Sequence, residues 1–200
     1  MGALELGLLA AMCWGFHDVC VRFISQKTPI SACIFIVLIV GLIFHICLMM
    51  PSKEISTITK AAFTYASIAG VSFVIASFSL YYAFKRGPVK LVAPLIASYP
   101  ILSITWAIWI GTPVSKLQIL AVLAIILGVS IVAIMSDNSE EEIPPIGKTI
   151  ALSIVAAIAF ACTFALGQAA AELSPHMSAT LVTRIISIML CAIIIYFAGL

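Results

Sequence analysis

Residues 30–50 read ISACIFIVLIVGLIFHICLMM, a run of 21 positions that holds one histidine and no Asp, Glu, Lys or Arg. About 20 apolar residues in a helix cross a hydrocarbon core roughly 30 Å thick, and a helix satisfies its own backbone where no water is present to do so. The run therefore predicts a membrane-spanning helix, and the chain on either side continues the pattern. Of 200 residues 64% are hydrophobic and 9% charged, against about 45–50% and about 25% in soluble domains. So few charges cannot cover the exterior, which must face lipid. Polar and Pro/Gly punctuation divides the chain into seven stretches, 3–24, 30–50, 61–84, 91–110, 117–135, 149–171 and 177–199. The fold class that follows is all-α, a multi-pass transmembrane helical bundle. Short linkers make consecutive helices antiparallel. A net charge of +2 spread over scattered basic residues excludes a nucleic-acid partner. The six cysteines each lie inside an apolar run and read as buried small hydrophobes rather than a disulfide set. The first stretch contains Asp18 and Arg22 and lacks the marks of a cleaved signal peptide, so it is expected to stay.

One linker differs from the rest. Residues 137–148 are acidic and proline-containing, which suggests a seam between residues 1–136, a five-helix module, and residues 149–200. Sliding the chain by 146 positions lays Ala10-Ala11-Met12-Cys13-Trp14-Gly15 on Ala156-Ala157-Ile158-Ala159-Phe160-Ala161, and Thr28-Pro29 on Ser174-Pro175. A module with an odd number of spans places its second copy upside down in the membrane, the inverted-repeat plan of many secondary transporters. Residues 149–200 supply two helices of that second repeat, so the plan expects three more beyond Leu200, the second repeat being truncated here.

The run 87–100, GPVKLVAPLIASYP, followed by a fifth stretch containing Gly128, resembles the EamA-type drug/metabolite transporter superfamily. Trp14-Gly15, Thr28-Pro29 and Arg184 are each similar to that family's pattern. One departure stands between the fourth and fifth stretches: family members often carry Gly-Glu-Arg there, whereas this chain has Gly111-Thr112-Pro113. The resemblance implies two inverted five-helix bundles around a central substrate cavity. It further implies movement of small metabolites, commonly export, without nucleotide hydrolysis.

Ionisable groups inside hydrocarbon are costly, about 2.5–3.5 kcal/mol at a helix centre, and tend to face a wet cavity or a partner. Asp18 and Arg22, four residues apart, share a helix face with Ala11 and Trp14. That stripe suits a cavity wall or an intrahelical ion pair. His17 adds an imidazole beside them, so Asp18 and His17 are the candidate proton-coupling groups. Cys13 and Cys20 flank His17 on one face, but no fourth ligand is visible and no metal site or cofactor is assigned. The third stretch aligns Gly70, Phe73, Ser77 and Tyr81, and the fourth aligns Ser98, Leu102, Thr105 and Trp109, mixed stripes of rings and hydroxyls that serve substrate binding or helix packing. Pro94 and Pro100 lie inside the fourth stretch and predict a kink or local unwinding, which would turn Tyr99 inward. Arg184 lies too deep in the last stretch for a loop charge and is a candidate anion site, with Gln168 and Thr163 as lesser lining candidates. The expected substrate cavity is thus Trp14, His17, Asp18, Tyr81, Ser98, Tyr99 and Arg184.

No phosphate-binding glycine loop, HExxH, GxSxG or catalytic carboxylate pair is present, so the chain is read as a secondary transporter rather than an enzyme. The reading is an exporter of small metabolites or drug-like molecules in the cell (inner) membrane, with lipid and a small-molecule substrate as partners and a proton as coupling ion. Its competitors are a non-transporting assembly subunit and a membrane enzyme acting on lipid. Small-residue patterns also suit a homodimer. Orientation stays open: Lys53, Lys60 and Lys116 lie on the side of the amino terminus and six basic residues lie opposite, which puts the amino terminus outside, while the resemblance puts it inside.

Overall fold

A computed structural model of the chain describes residues 2–52, 57–135 and 146–198, and every regular element among them is helical. The order is α1 (Ala3–Lys27), α2 (Ile30–Ser52), α3 (Lys60–Arg86), α4 (Val89–Ile96), α5 (Tyr99–Trp109), α6 (Lys116–Met135), α7 (Ile146–Leu173) and α8 (His176–Ala198). These fall on the seven predicted stretches, with the fourth broken into α4 and α5. Six spans, counting 89–109 as one, are long and apolar enough to cross a membrane. The fully described part of α6, Lys116–Ile131, is apolar but shorter. The protein is therefore a multi-pass integral membrane protein. Most of the seam at 137–148 lies outside the described residues.

The break in the fourth span has a local cause. The helix runs on through Pro94, Ala97 N–H still reaching Ala93 O at 2.8 Å, and ends at Ile96. Pro100 has no N–H to give the Ile96 carbonyl. The chain instead makes a tighter turn in which Ile101 N–H bonds Ser98 O at 3.0 Å, while the Ser98 hydroxyl donates to Leu95 O at 2.6 Å. At the far end of α5, Thr112 N–H reaches Ala107 O and Gly111 N–H reaches Ile108 O, with Gly111 at φ +81°. That is a Schellman stop, which needs a residue at ease in the left-handed region, and Pro113 then prevents continuation. The Gly-Thr-Pro sequence at this position is thus a helix terminator.

Contacts fix the helix directions. Arg22, late in α1, donates to the carbonyls of Phe84 and Gly87 at the end of α3, so α1 and α3 finish at the same face. Thr149, early in α7, is pressed against Gly87 at that face, and Thr59 at the start of α3 bonds Leu173 O and Ser174 beyond the other end of α7. Hence α7 runs opposite to α1. His45, late in α2, donates to Met177 O at the start of α8 at 2.9 Å, so α8 runs opposite to α2.

Helix α3 is the centre of the bundle. Ala62, Ala66, Ala69, Ala76 and Ala83 are fully buried there, facing Ala156, Ala159 and Ala170 of α7 and Ala179 of α8. Lipid gives no hydrophobic drive between helices, so small side chains that let backbones approach hold such an interface. The approach is close enough for hydroxyls to reach the neighbour's main chain: Thr183 to Ala66 O at 3.1 Å, Ser187 to Gly70 O at 3.0 Å and Thr163 to Ala69 O at 3.5 Å. The outer surfaces carry Leu, Ile, Val and Phe, as a lipid-facing exterior requires. Only Cys33 and Cys191 are buried among the six free cysteines, while Cys13, Cys47 and Cys162 face outward. The expectation that all would be buried fails because a thiol facing acyl chains is already in an apolar medium.

A methyl on Gly70 would stand 2.7 Å from Thr183 O and 3.1 Å from Ile186 Cβ. We expect Gly70→Val to destabilise the bundle by about 2 kcal/mol, the usual cost of overpacking, read as a lower unfolding temperature in detergent. Gly128→Ala, where nothing lies within 4 Å of the added methyl, should not lower that temperature, alanine being the better helix former.

Candidate transport site

A cavity of roughly 1290 Å³ lies between α1, α4, α6 and α7, larger than the roughly 300–1,000 Å³ of pockets for drug-sized ligands. It follows α1 from Gly7 to Gln26, about 28 Å of helix at 1.5 Å per residue. Its small walls are Gly7, Ala10, Ala11 and Gly15; Ile125 and Val129 close the side of α6. Rings gather in its middle, with Trp14 from α1, Tyr99 from the broken span, and Phe160 and Phe164 from α7. Polar groups gather toward the end where α1 finishes: Asp18, Arg22, Gln26 and Lys90. The cavity is therefore amphiphilic along its length, apolar and aromatic at one end and charged at the other. Such a lining suits a solute with an apolar body and a polar or ionised head.

A second cavity of about 220 Å³ lies behind α1, walled by His17, Cys13, Ser77, Tyr81 and Phe73 together with Ile34, Val37 and Leu38 of α2. Trp14, Leu80 and Phe160 face both cavities and form the partition between them. Phe160 is the hub of that partition, with ring centroids 5.8 Å from Trp14, 6.2 Å from Phe73, 6.3 Å from Tyr99 and 6.3 Å from Phe164. These edge-on and offset arrangements match what aromatic quadrupoles prefer. Through the partition runs a hydrogen-bonded series: Tyr81 Oη lies 3.3 Å from His17 Nε2, and His17 Nδ1 lies 3.1 Å from Asp18 Oδ1. The His17 and Asp18 side chains are 28% and 36% exposed, so both stay within reach of water entering the cavities.

The structure brings together five of the seven expected cavity residues. Trp14, Asp18 and Tyr99 line the large cavity, and Trp14, His17 and Tyr81 the small one. Ser98 lines neither, its hydroxyl being turned onto Leu95 O in the helix break. Arg184 also lies away from both cavities: its guanidinium packs against Gly41 of α2. Gln168 pairs with Glu172 on an exposed face and Thr163 reaches α3, so neither lines a cavity. The stripe on the third stretch splits, with Gly70 packing on α8 while Phe73, Ser77 and Tyr81 face the small cavity. The stripe on the fourth stretch turns outward, and Trp109 is 76% exposed, because a helix that is apolar all round carries no periodicity that separates its protein-facing side from its lipid-facing one.

Sequence reasoning missed Phe160, Phe164, Lys90 and Gln26. Phe160 carried a signal, since the 146-residue shift lays it on Trp14, and the two rings meet in space. Lys90 stands in the family-like run beside Pro88. Gln26 is one turn beyond Arg22, and Phe164 one turn beyond Phe160.

The sequence pattern that defines the EamA-like transporter family matches residues 1–134. An uncharacterised protein of Methanocaldococcus jannaschii is 30% identical over 133 residues, which make up 66% of this chain and 96% of that protein. No solved structure matches the chain.

Arg22, though it borders the cavity, also ties α1 to α3 through the Phe84 carbonyl at 2.6 Å and the Gly87 carbonyl at 3.3 Å. Hydrogen bonds from a charged donor contribute about 1.5–3 kcal/mol each. Arg22→Met, which keeps an unbranched apolar stem, should lower bundle stability by about 2 kcal/mol in detergent unfolding.

Proposed function

The chain belongs to the EamA-like transporter family, whose members are membrane transporters of the drug/metabolite superfamily, and from that premise we propose a proton-coupled secondary exporter of small amphiphilic metabolites or drug-like molecules. The observation that carries this reading is the large cavity itself, with one carboxylate, Asp18, set in its wall beside an aromatic floor and a cationic end. A carboxyl group whose surroundings change between the two open states exchanges its proton with opposite sides of the membrane, and that exchange couples proton flow to solute flow. Arg22 and Lys90 offer the head group of an anionic or zwitterionic solute its counter-charge. Arg184 is too far round the bundle for this role in the state described.

Alternating access in this reading rests on an inverted repeat, residues 1–136 forming one module and 149–200 the first two helices of its partner. Three observations support it: α7 and α8 run opposite to α1 and α2, the repeat-related rings of Trp14 and Phe160 touch, and the family pattern ends at residue 134, before the seam. The break before Pro100 supplies a bend at the cavity wall, where transporter helices use unwound backbone. The cell membrane is the expected location.

The test is counterflow of radiolabelled amino acids, purines and sugars into proteoliposomes, followed by uptake driven by an imposed pH gradient. Saturable counterflow of at least one class is expected, accelerated by the gradient. Asp18→Asn should keep counterflow and reduce gradient-driven uptake to the level seen without a gradient. Absence of saturable counterflow for every class, or uptake indifferent both to the gradient and to Asp18→Asn, would overturn the proposal.

A further inference from the structure

Among the described residues three buried side-chain polar atoms have no hydrogen-bond partner: Arg86 Nε, Thr149 Oγ1 and Arg184 Nε. Two of them flank Gly87. Arg86 precedes it in the chain, and Thr149 sets its methyl in the space that Gly87 leaves by lacking a side chain. Thr149 is 1% exposed, and with its methyl on Gly87 its hydroxyl has nothing to bond. A buried donor without an acceptor is costly, so two of them beside one residue mark a place where an acceptor from outside the chain is received.

The pair sits at headgroup depth. Arg86 is the last residue of the span 60–86, and Thr149 is the fourth of the span 146–173. Lys85 and Lys148 are exposed beside them, so three cations gather where α3 ends and α7 begins. The amino end of α7 adds backbone N–H groups and a helix dipole that favour an anion. No carboxylate among the described residues offsets this charge: Glu5 and Glu172 lie at the opposite face, and Asp18 lines the large cavity. One turn inside Arg86, Tyr82 is 38% exposed and stacked on Phe78, as an interfacial tyrosine is, with its ring along acyl chains and its hydroxyl among headgroups. The corner is apolar on its membrane side and cationic on its water side.

We infer that this corner binds the headgroup of an anionic phospholipid, whose phosphodiester accepts from Arg86 and Thr149 and whose net charge meets Lys85 and Lys148. A guanidinium offers a phosphate two parallel N–H groups, and basic side chains at a membrane surface attract anionic lipid. A soluble anion would meet the cations alone, whereas a lipid also covers the Tyr82 ring with its chains. The Gly87 carbonyl accepts from Arg22, so the lipid sits where α1, α3 and α7 join, and its binding stabilises the folded bundle by mass action.

Native mass spectrometry of the purified full chain, released from detergent doped with phosphatidylglycerol or phosphatidylcholine, counts the lipid retained, and the unfolding temperature in the same mixtures reads its effect. The wild type should retain one phosphatidylglycerol at concentrations about 10-fold below those required for phosphatidylcholine, and unfold at a higher temperature with it. Arg86→Gln should weaken retention by about 10-fold or more, the scale of one hydrogen bond from a charged donor; Thr149→Val should weaken it less. Both variants should unfold no lower than the wild type in lipid-free detergent, because each removes a buried donor that has no partner, and both should lose most of the lipid-induced rise. Lys60→Gln, at the opposite end of α3, should bind as the wild type does. Equal retention of the two lipids, or retention unchanged in Arg86→Gln and Thr149→Val, overturns the proposal. An equal rise in unfolding temperature with inorganic phosphate alone marks a site for soluble anions and overturns the lipid. Retention that emerges only when Glu140, Glu141 and Glu142 are all changed to Gln identifies those neighbouring carboxylates as the acceptor, and overturns it as well.

Discussion

The bundle depends on donation to the backbone of α3. A helical carbonyl that already accepts one N–H keeps a second lone pair, and in α3 those at Ala66, Ala69 and Gly70 are taken by Thr183, Thr163 and Ser187 of α7 and α8, while Arg22 of α1 meets the carbonyls of Phe84 and Gly87 where α3 ends. Such second bonds need the donor helix within side-chain reach of the main chain. Alanine and glycine make that reach available. One sequence property, the run of small residues along 62–83, therefore sets the centre of the molecule and the spacing of α7 and α8 around it.

The same economy shapes the site. Asp18 pairs with His17, Arg22 with backbone carbonyls, and His45 with the Met177 carbonyl. Arg22 thereby becomes part of the cavity wall and part of the scaffold at once. His17 and Tyr81 line the small cavity instead, which leaves the Trp14 indole and the Tyr99 phenol as the polar groups among the rings in the middle of the large one. A lining of that kind tolerates chemical variety in the apolar body of a solute while fixing its charged end.

Much of this was legible in the sequence, and what was not has a physical reason. Span positions followed from uninterrupted apolar length, and the break in the fourth span from the missing N–H of Pro100. Asp18, His17 and Trp14 stood out because charge and polarity are scarce. The inward face of each helix was harder to read. In a helix that is apolar all round, periodicity does not separate a protein-facing side from a lipid-facing one, so the Ser98–Trp109 stripe was assigned to the interior and turns outward instead. Arg184 was marked by its depth, yet depth along a helix axis says nothing of azimuth, and its azimuth is toward α2. Phe160 was visible only to a comparison of the chain with itself.

That self-comparison gives the contact between Trp14 and Phe160 a meaning beyond packing. Residues related by a two-fold operation touch each other only where they lie beside its axis. In the proposed inverted repeat, the ring pair therefore marks the line about which the two modules exchange roles when the cavity changes sides. Points on such a line move least as the two ends trade open for closed, much as the pin of a balance stays still while its pans swing. The aromatic partition and the polar series threaded through it stand at this stationary point, where their spacing can persist through a cycle that remakes the packing at either mouth.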